Sequence, residues 1–494
     1  MSPPKPVGPK AQHEDKASSL MNLGGKGSAP RKALPRIDLS TLNSDVEEFI
    51  TRIPIGGMPP NGPRSMEWQD IGTNYITGQI LPGRRKSMEP MTKRIPDEDY
   101  QRLQQFITDS PWDPKCTMDA TITFCRDEMS GPDGIFIGDD TGSRKQGKMS
   151  PGVARQYFSE TGNVDNCQTT VTCLYASQIG PTNADLGTWP LGVGLYIPKE
   201  WDKDKIRREK AGIPPDVRHT EKWRILLNII ENARDLKVPH KCTIADESYG
   251  RVGDFRAQLR EWKEAYILAV PLDKFKIVPG DTPILLPGSE GKHTGRKRTN
   301  PFLPEGIKAK SPRMIIGTMK AWTTVRWAEG TKGPLEAKFT RMKVRVCKRQ
   351  TPTDEIGWLL MEDGPDGLKA FICWGLDDMR LEEQVSLAHC RWAIEEYHKQ
   401  IKDRLGFDHF QGRTYPGWLH HAVLTQMTFA LLAWLRWKQR SSDGEVALPT
   451  LPEVRRRLIK AIVERFLMDD TDTRHRVGGR CKRCPVKRLV LESG

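Results

Sequence analysis

Residues 391–413 read RWAIEEYHKQIKDRLGFDHFQGR. At about 100° per residue, steps of four and seven set Arg391, Glu395 and Lys402 within roughly 40° of one another on a helix. Ile394, Tyr397, Ile401 and Leu405 form a separate apolar stripe, so the helix can pack while the charged row faces elsewhere. A carboxylate flanked by two cations suits a site that handles phosphate and a metal ion. A ladder of surface salt bridges gives the same pattern. Acids elsewhere in the chain have to decide between the two readings.

Two such acids end apolar, strand-like runs: Asp140 in IFIGDDT (135–141) and Asp246 in CTIADE (242–247). Rigid strands hold functional side chains at their carboxyl ends, where loops leave room for substrate. A lone aspartate there is more often a turn-former or a helix cap. Two of them, with Glu395, favour a site. Further strand-like runs lie at 169–177, 189–198 and 265–271, and helical periodicity at 221–233 and 252–264. Three strands followed by helix, strand, helix and strand predict an α/β fold with a mixed sheet whose first part is antiparallel.

The 494 residues carry a net charge of +14 with pI near 9.2, which favours a polyanionic partner, foremost nucleic acid. The charge is clustered at 203–210, at 292–298 (including Arg296, Lys297 and Arg298), at 455–460 (including Arg455, Arg456 and Arg457) and at 480–488. The apolar run 422–437 is broken by Thr425, Gln426, Thr428 and Arg436, so it reads as a buried helix and no membrane partner is expected. No secretory leader is visible, and the expected location is cytoplasmic, at the nucleoid. Isolated cysteines such as Cys173, Cys242, Cys347 and Cys373 read as reduced, buried thiols. Cys481 and Cys484 with His475 offer at most half a zinc site, and a basic solvated tail is preferred to zinc. His398, His409, His420 and His421 read as packing or DNA-backbone groups ahead of metal ligands. Trp322 and Trp327 could stack on bases, although core filling is the commoner use.

Composition and periodicity divide the chain into a disordered basic tail (1–40), a helical N-terminal module suited to DNA binding (41–130) and a first core segment (131–271). A β-rich insertion (272–350), a second core segment with the Glu395 helix (351–440) and a basic C-terminal region (441–494) follow.

The order strand-Asp, strand-Asp, helix-Glu resembles the DDE transposases of bacterial insertion sequences. Arg391-x3-Glu395-x6-Lys402 is similar to their Tyr-Arg-Glu-Lys signature. DDTG (139–142), GVARQY (152–157) and NCQ (166–168) resemble the block of the first aspartate, and ADESYG (245–250) that of the second. RKSMEPM (85–91) and DSPWD (109–113) resemble N-terminal blocks of one insertion-sequence group. The resemblance covers most of residues 65–440.

It implies an RNase H-like mixed sheet flanked by helices and interrupted by the β-rich insertion. It implies Asp140, Asp246 and Glu395 as catalytic ligands of Mg2+, with Mn2+ able to substitute. Arg391 and Lys402 would contact phosphates beside the scissile bond. Asp139 competes with Asp140, which is preferred because Thr141 follows it. Double-stranded DNA, as terminal inverted repeats and target, is the implied partner, with a homodimer in the complex. The alternatives are a transposase-derived DNA-binding protein without catalysis and a structure-specific nuclease on the same fold. Two departures stand out. Ala388 occupies the place of the signature's tyrosine, and Asp246 and Glu395 are 395 − 246 = 149 residues apart.

Overall fold

Ile135, Phe136 and Ile137 are fully buried, as expected of a central strand covered on both faces. They begin strand β1 (Ile135–Arg144), around which the other elements assemble in the computed structural model. The structure describes residues 39–56, 63–158, 160–178, 186–288, 298–330, 333–439 and 448–477, all within one compact unit. Side chains are described from 42 to 56, from 66 onward and up to 467. The tail at 1–38, Arg296, Lys297, Cys481, Cys484 and the side chain of His475 lie outside the described residues.

Helices α1 (Leu39–Arg52), α2 (Pro63–Ile80), α3 (Met88–Thr92), α4 (Tyr100–Thr108) and α5 (Pro114–Met129) come before β1. Asp99 and Asp113 cap α4 and α5, accepting from the first backbone N–H groups, and Pro114 occupies the first turn of α5. After β1 come β2 (Ala154–Phe158), β3 (Asn163–Gln178) and β4 (Leu186–Leu195), then α6 (Lys199–Lys203), α7 (Lys205–Lys210) and α8 (Lys222–Asp235). Strand β5 (Cys242–Ala245), α9 (Glu247–Gly250), α10 (Gly253–Glu261) and β6 (Tyr266–Ala269) complete the first half. In the order β4-β3-β1-β5-β6, β1 and β4 flank β3 antiparallel, while β5 and β6 run parallel to β1. This mixed sheet with helices on both faces is the arrangement of an RNase H-like fold.

Residues 272–376 extend that sheet. Strands β7 (Lys276–Pro279), β8 (Thr323–Gly330), β9 (Gly333–Lys348), β10 (Thr351–Gly364) and β11 (Gly367–Trp374) follow, with the short α11 (Pro312–Ile315) among them. Strand β11 pairs antiparallel with β6, and the sheet continues through β10, β9 and β7 to eleven strands. Helices α12 (Leu381–His389) and α13 (Trp392–Asp403) return the chain to the core, broken from each other at Cys390–Arg391. The apolar stripe read from sequence is buried: Ile394, Tyr397 and Ile401 on α13, and Leu405 in the turn that follows it.

The apolar run becomes α14 (Tyr415–Trp437), buried along nearly its whole length, and α15 (Leu451–Val477) ends the described chain. Polar groups on α14 are matched from α2: Tyr75 Oη donates to His421 Nδ1 (2.7 Å), and Gln79 bonds Thr425 and Thr428. Among the described residues no helix is long and apolar enough to cross a membrane. The eight described cysteines are free thiols, all but Cys116 buried.

Candidate active site

Sheet register builds the site. The parallel pairing of β1 with β5 ends at Gly138↔Ala245, while β1 runs on against β3 to Arg144. The acids of β1 are therefore mid-strand residues exposed by the end of the shorter neighbour, not residues at a strand-to-loop boundary. One more step of the same register carries Asp139 to the level of Asp246. Asp246 caps α9, its Oδ1 accepting from Ser248 N and Oγ (2.9 and 2.6 Å). A Cβ on Gly250, at the end of that turn, would fall 1.9 Å from Ala269 O, so only glycine lets α9 lie on β6.

Alternation along β1 sends its acids to opposite faces. Gly138 packs on Leu226 of α8, and Asp140, on the same face, pairs with Lys222 Nζ at 2.8 Å. Asp139 faces α13, where Arg391 Nη1 lies 3.0 Å from its Oδ2. The other end of that guanidinium holds Glu395 Oε1 at 2.5 Å. Asp139, Asp140 and Asp246 are close enough to repel one another. Burial, then Asp246, lifts the Asp139 carboxyl to about 7 in spite of Arg391. Burial also raises Asp140, opposed by Lys222.

The structure thus brings Asp139, Asp140 and Asp246 into one corner and joins Glu395 to it through Arg391. Glu395 is 57% exposed, and among the described residues no three carboxylates, imidazoles or thiols converge into a ready-made metal cage. The donor chemistry nonetheless fits a hard divalent cation: crowded carboxylate oxygens whose mutual repulsion a positive ion would relieve. Asp246 and Glu395 open onto a groove of about 1480 Å³, whose lining mixes cations such as Arg251, Lys274, Lys348 and Arg349 with further acids such as Asp254 and Asp366. Ala388 lines the same groove, beside His389 and Trp392.

Lys402 is only 7% exposed, and its ammonium is held by Glu160 from the turn between β2 and β3. Arg298 lies 4.1 Å over the Phe302 ring. The three arginines of α15 do not share one face: Arg455 donates to Leu81 O (3.1 Å), Arg457 pairs with Glu453, and Arg456 is exposed. In the 203–210 cluster, Arg208 is buried and bonded to Asp202, Pro214 and Val217. Trp327 stacks on His389 at 3.8 Å, and Trp322 donates to Met319 O. His398 and His421 are buried and hydrogen-bonded, and His420 bridges Ile107 O and Trp112 O, which makes all three packing groups.

Sequence reasoning did not find Lys222 or Glu160. Each reaches the site from an element that carries no local pattern of acid and base.

A sequence model of the DDE superfamily endonuclease family matches residues 64–334, more than half of the chain. A protein of Microchaete diplosiphon, named as a probable transposase for insertion sequence element IS701, is 24% identical over 343 residues. The match spans 69% of this chain and 76% of that protein.

Proposed function

Because the chain belongs to the DDE superfamily of endonucleases, we propose that it is the transposase of an insertion sequence. It binds double-stranded DNA at the element's terminal inverted repeats, hydrolyses phosphodiester bonds there and joins the freed ends to target DNA. The observation that carries this reading is the half-buried corner of Asp139, Asp140 and Asp246, tied to Glu395 through Arg391 beside a groove that Asp246, Arg391 and Glu395 line. A DNA-binding protein without catalysis has no use for three carboxylates crowded together.

Enzymes of this superfamily use divalent metal ions. We propose Mg2+, with Mn2+ able to replace it, held by Asp140, Asp246 and Glu395. When bound, it supplies an activated oxygen nucleophile and neutralises charge on the leaving oxygen. The chain's own groups do the rest. Arg391 is placed to leave Glu395 and turn its planar fork to a phosphate, and Lys402 supplies a point charge one helical face along. Lys222 steadies Asp140 from α8. Arg298, Arg456, Arg296 and Lys297 add backbone contacts outside the site. Joining two ends calls for two active sites, hence a homodimer on DNA, at the nucleoid.

A second reading puts Asp139 in the place of Asp140. It is favoured by the guanidinium that Asp139 shares with Glu395 and by the register that levels it with Asp246. Incubating the purified protein with Mg2+ and a duplex carrying the element's end tests the function itself. Strand cleavage with transfer to a second duplex supports it, cleavage alone points to a nuclease, and binding without cleavage removes catalysis.

A further inference from the structure

The loop 81–86, between α2 and α3, gathers cations from distant parts of the chain. Leu81 O accepts from both Lys86 Nζ and Arg455 Nη2 (3.1 Å), so an ammonium and a guanidinium share one carbonyl. Arg94 spans Arg85 O with both its Nη atoms (3.1 and 3.2 Å) and lies over Gly83, where a Cβ would meet it at 2.1 Å. The turn at Gly406, two residues past Arg404 on the chain of α13, packs against the Lys86 side chain, and His409 Nδ1 accepts from Lys86 N (3.0 Å). Arg84, Arg85 and Arg404 are exposed around this centre.

Among the described residues neither Lys86, Arg404 nor Arg455 is paired with a carboxylate. The charged groups bearing on Lys86 are Arg455 and Arg94, and the one bearing on Arg455 is Arg404. Burial and these like charges hold Lys86 well below its ordinary value and Arg455 at about 10. Arg455 Nε is buried without a hydrogen-bond partner. Capping the end of α2 accounts for one of these cations, since a helix terminus carries only about half a charge. It does not account for a second on the same carbonyl, or for Arg404 beside them.

We propose that exposed Arg404 and half-buried Arg455, backed by the buried Lys86, form a backbone-phosphate clamp for duplex DNA, separate from the catalytic acids. The proposal rests on the transposase reading and adds a place where the duplex is gripped. Helix α13 fixes its distance from the chemistry: Arg404 lies 404 − 395 = 9 residues from Glu395. That is about 13 Å along the axis, or roughly four base-pair steps of B-DNA. One rigid helix then sets both the acid at the scissile bond and the grip a few steps away.

The test is the salt dependence of binding of the full chain to a short mixed-sequence duplex. Arg404→Gln is expected to bind about tenfold more weakly at physiological salt, and the double variant Arg404→Gln/Arg455→Gln more weakly still. Each lost phosphate contact lowers the slope of log K against log salt by about 0.9. Arg455→Lys keeps the charge and the slope. An unchanged slope in the double variant, with its thermal midpoint preserved, overturns the clamp. If the double variant does not fold, exposed Arg404 decides alone: Arg404→Glu must weaken binding further than Arg404→Gln, and equality overturns the proposal. Failure of the wild-type chain to bind the duplex would instead remove the transposase reading.

Discussion

Arg391 Nη1 lies 3.0 Å from Asp139 Oδ2, and the same guanidinium holds Glu395. One cation thus ties the candidate catalytic helix to the central strand through the acid that sequence comparison ranks second. Neighbouring Asp140 is held from the opposite face by Lys222. Four variants separate the two assignments. With Asp140 as ligand, Asp140→Asn, Asp246→Asn and Glu395→Gln each abolish Mg2+-dependent cleavage while DNA binding survives. Asp139→Asn then slows cleavage about 10- to 100-fold, as loss of an orienting group does. Cleavage that persists in Asp140→Asn but vanishes in Asp139→Asn hands the role to Asp139.

Lys402 is expected to serve a phosphate, yet its ammonium is held by Glu160 at the turn between β2 and β3. A phosphate reaching Lys402 must displace that carboxylate. Lys402→Ala should therefore slow cleavage about tenfold, the worth of one charge-assisted hydrogen bond, with little loss of binding. Glu160→Gln should tighten DNA binding a few-fold at low salt, the gain fading as salt rises. Titrations of both variants at two salt concentrations check this. Weaker binding by Glu160→Gln would show that the pair is structural.

Local pattern made the Glu395 helix readable, because its stripe of Ile394, Tyr397, Ile401 and Leu405 and its charged row both repeat at helical spacing. The strands of the first half were equally readable as short apolar runs. What the sequence did not carry was register. That β5 stops one residue short of Asp139 is a property of two strands about a hundred residues apart, and it decides which acids reach the site. Nor did it carry the pairing of β11 with β6, which makes the β-rich segment a continuation of the catalytic sheet. Lys222 and Glu160 escaped for the same reason: each meets its partner only across the folded chain.

The sheet extension braces the site through a buried network. Glu355 on β10 accepts from Arg256 Nε (2.8 Å) and Tyr266 Oη (2.7 Å) and forms an ion pair with Arg260 Nη1 (3.1 Å), while Arg256 also donates to Gly250 O at the end of α9. Removing the carboxylate leaves Arg256 charged in a buried place. Glu355→Ala should cost about 3–5 kcal/mol of stability, measured by urea denaturation. Cleavage should fall as well, because α9 holds Asp246. A loss below about 1 kcal/mol would place the arginines in water rather than in this network.

Acid should unfold the protein through two buried imidazoles. His398, on α13, is hydrogen-bonded to Thr172 Oγ1 at 2.7 Å, and His421 lies between Tyr75 Oη and Phe407 O. Burial, reinforced by nearby cations, lowers both to about 3 from an ordinary value near 6.5. Between those values the unfolded chain binds protons that the native state excludes. Their contribution to stability is therefore complete above pH 6.5 and is lost progressively as pH falls towards 3. Near pH 5 each histidine should withdraw about 2 kcal/mol relative to pH 7. His398→Gln should keep a hydrogen bond to Thr172 and flatten the fall in thermal midpoint between pH 7 and 5 by one histidine's share. An undiminished slope in that variant would mean that His398 already titrates in the folded protein.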